Sequence, residues 1–407
     1  MKLTINNRDY QLPEKPVVYI CMDGTSKEYF EAAHHVMPNL ERIRQRGTSG
    51  IALSVIPSFT NPNNLSLVTG VPPAVHGISG NFYYDRDADR EIMMNDPAFL
   101  RCPTVLAGMA AAGKSVAVVT TKDKLRRLLG KDLKGICFSI ECAHEATEAE
   151  NGISDIIRSI GRPAPGVYDP ECSVYCLEAG AWLLQQFRPD VLYLSTTDYV
   201  QHKFAPDAPE ALDFYARIDH FLGMIDDQDV ILGITADHGM NSKTNEDGSP
   251  RVRFLETILL ENGITRPRVI LPITDPYVVH HGALGSFATV YVAGEELENA
   301  RTILRAIHGV ELVLTRDDAV ERFSLPADRI GDLVVLGNEC TVLGRTPEWH
   351  DLSSVSKGLR SHGGLHEQAV PFIINQPIDD KRVRLLRDGR VRNYDILEFL
   401  CNGVDAQ

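Results

Sequence analysis

The chain has 407 residues, more than one hydrophobic core usually serves, so two compact units are expected. Its 41 basic side chains against 55 acidic ones give a formal net charge of −14, which argues against a polyanion-binding surface and against nucleic acid as a partner. No apolar run approaches a membrane span and the first ten residues lack the apolar stretch of a secretory signal, so a cytoplasmic chain without membrane contact is expected.

From the amino terminus, short apolar runs at residues 17–22, 50–56, 115–120, 190–195 and 230–235 read as strands. Stretches at 37–46, 102–112, 171–187 and 209–226 place apolar residues at three- and four-residue steps and read as helices. That alternation is the pattern of an α/β core with a largely parallel central sheet flanked by helices. After Met240 the character changes. A polar loop at 241–250 leads to strands at 268–273 and 287–292, a helix at 295–307 and a strand at 310–314, which together suggest a small α+β insertion. The chain then returns through the apolar run 331–336 and a polar loop to Ser361-His362. The expected division is a discontinuous core of residues 1–240 and 351–407, with 241–350 as a cap over the active-site edge. Neither an internal repeat nor a low-complexity segment is present.

The eight cysteines are scattered, mostly in apolar stretches, as reduced core thiols are. Cys172 and Cys176 lie four apart on an expected helix, but nothing near them completes a metal site.

The chemistry gathers where the apolar runs stop. The first run ends at Asp23-Gly24, the fourth runs into Thr196-Thr197-Asp198 with His202 beyond, and the fifth ends at Asp237-His238-Gly239. Ligands in open α/β sheets collect at the carboxyl ends of the strands, and Asp, His, Asp-His with a late His362 is a donor set for two cations. Taken one at a time the signals are weaker. Asp198 and His202 are also the four-residue step of an ordinary hydrogen-bonded pair on a helix. His362 competes with His366 and with the His280-His281 pair. His76, in a His-Gly turn, reads as a loop organiser, and the remaining histidines as surface or packing residues. Thr60 precedes Pro62 at the start of a helix, where the positive end of the helix favours an anionic oxygen, although a plain N-cap fits the same local sequence. Lys122 and Lys124 follow the third strand. They project to one side if the extended run continues through them, and otherwise belong to a solvated basic patch with Arg126 and Arg127.

Taken together, these residues resemble a known family. Asp23 after the first strand, Thr60-Asn61-Pro62-Asn63 opening a helix, Thr69-Gly70 through His76-Gly77 with Asn81 and Asp85 beyond, Asp198 with His202, Asp237-His238-Gly239 and His362-Gly363-Gly364 occur in the order found in the alkaline phosphatase superfamily. The branch is similar to the type I phosphodiesterase and nucleotide pyrophosphatase group, over residues of about 17 to 404 without the insertion. Within it the chain looks most like the members that cleave a carbon–phosphorus bond. The resemblance implies two zinc ions per chain, one held by Asp198, His202 and His362, the other by Asp23, Thr60, Asp237 and His238. It further implies Thr60 as the nucleophile of a phosphoryl-enzyme intermediate and Asn81 as a donor to the phosphoryl oxygens, though Gly80-Asn81 is also an ordinary turn. Lys122 and Lys124 are then expected to meet the carboxylate of a small anionic substrate, phosphonoacetate.

Two rival activities use the same fold. A nucleotide phosphodiesterase needs an aromatic slot, which Phe82, Tyr83 and Tyr84 could form, but has no use for two lysines aimed at a small carboxylate. A phosphomutase tends to carry serine as nucleophile and a larger inserted domain. The sequence leaves a homodimer open.

Overall fold

The computed structural model of the protein describes residues 1–166, 168–274, 282–356 and 358–404. Its centre is a seven-stranded sheet in the order Thr48–Leu53, Ala369–Ile374, Ile231–Thr235, Val17–Cys21, Val191–Ser195, Val116–Thr120, Ile136–Ser139. Six strands run parallel and Ala369–Ile374 runs against both its neighbours. The sheet is therefore largely parallel, as the alternating runs implied.

Val17–Cys21 shows why these residues make a central strand. All five are buried, which only a strand covered on both faces allows. Val18 and Ile20 point to one apolar cluster, Val17, Tyr19 and Cys21 to the other, following the two-residue period of a strand. Helices Pro38–Arg46, Glu171–Gln186 and Pro209–Asp226 cover the first face. Helices Thr60–Thr69, Val105–Ala111, Asp123–Leu129 and Ile396–Asn402 cover the second.

Between residues 252 and 344 the chain builds a second sheet, antiparallel throughout, in the order Arg268–Ile270, Phe287–Tyr291, Leu333–Gly337, Val310–Thr315. Helices Leu255–Glu261 and Leu297–Arg305 pack on one of its faces. The other face, through Phe287 and Leu336, meets Ile56 and Phe59 of the core. The apolar run at 331–336 forms an inner strand of this second sheet, where two antiparallel neighbours satisfy its backbone. The return strand is Ala369–Ile374, unforeseen from the sequence.

Candidate metal centre and substrate pocket

The parallel register sets the site. Cys21 lies opposite both Ser195 and Thr235, so the three strands end level and the residues after each emerge at one edge of the sheet. Asp23, Asp198 and Asp237 all lie there. Gly24 makes that crowding possible: its φ is +70°, and a Cβ would lie 2.7 Å from the Asp198 Cβ. Short bonds lock the loops, with the Asp23 amide donating to Thr196 Oγ1 at 2.9 Å and the Gly24 amide to Asp237 Oδ1 at 3.2 Å. His202 follows Asp198 by one turn on the helix Tyr199–Lys203.

Two groups of candidate ligands result, each with its donor atoms within 4.8 Å of one another: Asp198, His202 and His362, and Asp23, Asp198 and His238. His202 Nε2 is 2.9 Å and His362 Nε2 3.6 Å from Asp198 Oδ2. His238 Nε2 is 3.3 Å from Asp23 Oδ1, 3.8 Å from Asp237 Oδ2 and 3.3 Å from the Thr60 hydroxyl. The first group is the one the resemblance implied. The second brings Asp23 and His238 together, with Asp198 common to both groups and Asp237 one step further out.

The imidazoles are oriented alike. His202 Nδ1 pairs with the Arg360 carbonyl at 2.8 Å, His238 Nδ1 with the Gly239 carbonyl at 2.9 Å and His362 Nδ1 with the Ser58 carbonyl at 2.7 Å. A carbonyl can only accept, so each Nδ1 donates and each neutral ring keeps its Nε2 lone pair for the carboxylate cluster. That is how metal-ligating histidines are held.

Electrostatics point the same way. Both oxygens of buried Asp23 have no hydrogen-bond donor. Burial, with Asp198 and Asp237 close by, holds its carboxyl well above the ordinary range. Burial also opposes ionisation of Asp198, yet His202, Lys122 and His362 outweigh it and hold that carboxyl well below the ordinary range. Burial disfavours a charged His238, but Asp237, Asp23 and Asp198 push it up to about 10. An orphaned carboxylate, two more beside it and three imidazoles with Nε2 turned toward them fit divalent cations, which supply the missing positive charge in place of a proton on His238.

A cavity of about 390 Å³ opens on this cluster, and Thr60, Asp198, His202 and His362 form part of its lining. Lys122 and Lys124 line it too. Their geometry departs from the extended run: Lys122 is the N-cap of helix Asp123–Leu129 and Lys124 sits in its first turn, so a helix start delivers both to the cavity. Lys122 Nζ lies 3.9 Å from Asp198 Oδ1. Asn81 lines the far wall, its side-chain amide donating to the Ile273 and Thr274 carbonyls over 3.4 and 3.3 Å. Thr60 is the first residue of the helix Thr60–Thr69 and Phe59 is its N-cap, so Thr60 stands inside the first turn and not at the N-cap position that the local sequence also suggested.

Other expectations sort themselves. His366 turns outward and pairs with Glu311 at 2.8 Å, away from both ligand groups. His280 and His281 lie outside the described residues. His76 is buried, accepts the Ile78 amide at Nδ1 and bonds Ser66 Oγ through Nε2. Of the three consecutive aromatics only Phe82 lines the cavity, while Tyr83 packs on Phe99 and Tyr84 on Tyr291. Cys172 and Cys176 are buried, and neither joins a candidate metal group among the described residues. No helix of the described residues is long and apolar enough to cross a membrane.

Several site residues carried no signal in the sequence. Asn64 donates to Asp237 Oδ2 at 3.1 Å while its own oxygen accepts from Tyr193 and Ser195, so it fixes a candidate ligand from the opposite helix. Glu141 lines the cavity and accepts the Asp123 amide between the two lysines at 2.8 Å. Tyr168 stands at its exposed side. Only a periodic reading of the helix 60–69, which shows polar Asn63 and Asn64 on buried positions, could have marked Asn64.

Residues 17–365 match the family model for type I phosphodiesterase / nucleotide pyrophosphatase. The chain belongs to the type I phosphodiesterase / nucleotide pyrophosphatase family. Among solved structures, this family member is similar to phosphonoacetate hydrolase from Sinorhizobium meliloti 1021, determined in complex with phosphonoacetate and with phosphonoformate: 49% identity, 98% of each chain, TM-score 0.94. Murine ectonucleotide pyrophosphatase / phosphodiesterase 5 shares the fold, at 18% identity over 95% of this chain and 94% of its own, with TM-score 0.62. Venom phosphodiesterase of Macrovipera lebetinus is 24% identical over 245 residues, 56% of this chain and 26% of its own length. An ectonucleotide pyrophosphatase/phosphodiesterase of Caenorhabditis elegans is 24% identical over 336 residues, 80% and 39%. The chain thus spans about a quarter to two-fifths of these two curated relatives. The likeness to phosphonoacetate hydrolase stands over nearly the whole chain.

Proposed function

We propose that this family member hydrolyses phosphonoacetate to acetate and phosphate through a phosphorylated Thr60. The observation that carries the reading is that Lys122 and Lys124 line the same cavity as Thr60, Asp198, His202 and His362. Two zinc ions are proposed, one with Asp198, His202 and His362, the other with Asp23, Thr60, Asp237 and His238. Bound there, the cations would neutralise the carboxylates, polarise the phosphonate oxygens and lower the pKa of the Thr60 hydroxyl.

The residues of the chain supply the rest. Thr60 Oγ forms a bond to phosphorus as the carbon–phosphorus bond breaks, and the bonding pair moves onto the methylene carbon and into the carboxylate as an enediolate. The ammonium groups of Lys122 and Lys124 stabilise that charge as it grows, so they favour the transition state over bound substrate. Asn81 donates to a phosphonate oxygen, since its present bonds of 3.3 and 3.4 Å are long and exchange at little cost. Water protonates the departing carbon, and the hydroxide left behind takes up the proton released by the Thr60 hydroxyl; a second water then cleaves the phosphothreonine, its oxygen going to phosphorus and a proton to Oγ, which frees phosphate and restores the hydroxyl.

Phe82, Met93 and Tyr168 line the same cavity and favour a second reading, a phosphodiester with an aromatic leaving group. Phosphate release from phosphonoacetate, measured with the zinc-loaded protein beside bis(p-nitrophenyl) phosphate and p-nitrophenyl phosphate, decides between them. Turnover of phosphonoacetate well above both esters is expected. Hydrolysis of the diester alone overturns the proposal in favour of the second reading.

A further inference from the structure

A fully buried ion pair lies behind the ligand loops, and no step above uses it. Lys243 Nζ donates to Glu367 Oε1 at 2.8 Å and to the Glu339 carbonyl of the second sheet's turn at 2.6 Å, and both charged side chains are 0% exposed. Glu367 is saturated by bonds from two directions. Its Oε1 also accepts from the Asn241 side-chain amide at 2.7 Å, and its Oε2 accepts the Gly364 amide at 2.9 Å. Its backbone carbonyl accepts the Gly239 amide at 2.7 Å.

Those bonds connect the two histidine loops. Gly239 follows His238 directly, and Asn241 and Lys243 come three and five residues after it. Gly364 stands two residues after His362. The short pairing of Asn241–Ser242 with Arg360–Ser361 runs between the same loops, placing Asn241 opposite Ser361. Hence one carboxylate bonds the chain leaving each histidine, and one ammonium ties that carboxylate to the second sheet.

We infer that Glu367 and Lys243 are positioning residues that set the distance between His238 and His362, and through it the spacing of the two cations. The inference rests on the two-cation reading above. A helix or a lone salt bridge elsewhere in the core would not couple the two ligand groups, whereas this pair touches both loops and no reacting atom. Partners lying behind metal ligands typically change metal affinity about 10–100-fold when removed, and the loss here falls on the second cation, whose binding needs the first already correctly spaced.

The test is a cobalt(II) titration of the metal-free protein, followed by visible absorption and by equilibrium dialysis, in wild type, Lys243→Met and Glu367→Gln. Removing one member of a buried pair strands the other charge, so a Lys243→Met/Glu367→Gln double variant, with no buried charge, accompanies them in case either single variant fails to fold. Leu304→Ala, in the core of the second sheet, serves as a control that lowers thermal stability without touching either loop. Wild type is expected to take two cobalt ions per chain. The variants should keep the first ion within a few-fold and bind the second at least roughly tenfold more weakly, with an altered visible band, while Leu304→Ala matches wild type. A wild type that binds fewer than two ions overturns the two-cation reading, and this inference with it. A wild type that binds two, with folded variants indistinguishable from Leu304→Ala, overturns the positioning role alone.

Discussion

The imidazole rings of His238 and His362 stack face to face, with centroids 3.6 Å apart and planes 5° from parallel. They come from loops more than a hundred residues apart and carry opposite tendencies. Three carboxylates push His238 up to about 10 against its burial, whereas burial, His238 and His202 hold His362 well below the ordinary histidine range. Two charged rings at that separation would repel, so the pair supports at most one positive charge. The centre is thus built for positive charge from another source.

Chelation is the direct check. A ligand that binds only the folded state at about a thousandfold above its Kd adds about 4 kcal/mol of stability. Zinc is therefore expected to raise the melting temperature by several degrees over protein in excess EDTA. Asp23→Asn removes a buried carboxylate that sits among Asp198 and Asp237 with no donor on either oxygen. In EDTA this variant should melt no lower than wild type. In zinc it should lose a large part of the gain, on the order of 1.4–2.7 kcal/mol for a 10–100-fold weaker site. Scanning calorimetry of both proteins in both buffers measures the crossing, and parallel behaviour in the two buffers would remove Asp23 from the metal site.

Thr60 carries the second prediction. Its hydroxyl is 3.3 Å from His238 Nε2 and faces the cavity. Thr60→Ala should lower kcat on phosphonoacetate on the order of a thousandfold or more, as loss of a nucleophile does. Thr60→Ser should keep measurable turnover, because the oxygen remains. Acid quench of wild type during turnover, followed by peptide mass spectrometry, should find phosphate on Thr60. An active Thr60→Ala enzyme would mean that water attacks phosphorus directly.

The carboxylates of this candidate centre were legible in the sequence because each follows an apolar run that ends in a recognisable way. Asp23, Asp198 and Asp237 sit just beyond strands whose β-branched and aromatic residues announce them, and a parallel sheet brings such ends together whatever the order of the strands. The less legible parts depend on closure of the whole chain. Ala369–Ile374 carries Pro371, which counts against a strand, yet pairing puts Pro371 opposite Ile51 and lets its carbonyl accept from Thr235 Oγ1. Asn64 looks like one more polar residue until Tyr193, Ser195 and Asp237 surround it. Lys243 and Glu367 are 124 residues apart, and nothing in either neighbourhood names the other. The run at 331–336 left its partners unnamed for a related reason: an apolar strand does not declare which neighbours will take it.

The two lysines should separate in a mutant series. Lys124→Ala is expected to lower kcat on phosphonoacetate about 100–1,000-fold with a smaller change in KM, the mark of an interaction that strengthens as charge develops. On bis(p-nitrophenyl) phosphate, which offers no carboxylate, whatever basal rate exists should change only a few-fold. Lys122→Ala should show the same loss and one further difference. Lys122 lies 3.9 Å from Asp198 Oδ1 and competes with a cation for that carboxylate, so the variant should retain metal in dialysis at least as well as wild type. Equal losses on both substrates for Lys124→Ala would count against a carboxylate clamp.

His76 supplies a pH test away from the metal centre. The Ile78 amide donates to its Nδ1, so the neutral ring carries its proton on Nε2, which donates to Ser66 Oγ. A second proton would have to sit on Nδ1, facing an N–H. Burial, assisted by nearby Arg329, pushes the group down to about 3 from the ordinary 6.5. The unfolded chain therefore binds a proton that the folded chain refuses between those values. Stability from His76 is complete above about pH 6.5 and falls by about 1.4 kcal/mol per unit as pH drops below it. His76→Gln keeps an acceptor and a donor in place but does not titrate. The variant should be less stable than wild type by about 1–2 kcal/mol at pH 8, the cost of an imperfectly replaced buried hydrogen-bonding group. That deficit should shrink by about 1.4 kcal/mol on going to pH 5.5, while the other histidines cancel between the two proteins because they are common to both. Urea midpoints at pH 8 and 5.5 measure it, and a deficit that stays constant would show that His76 titrates alike in the folded and unfolded chains.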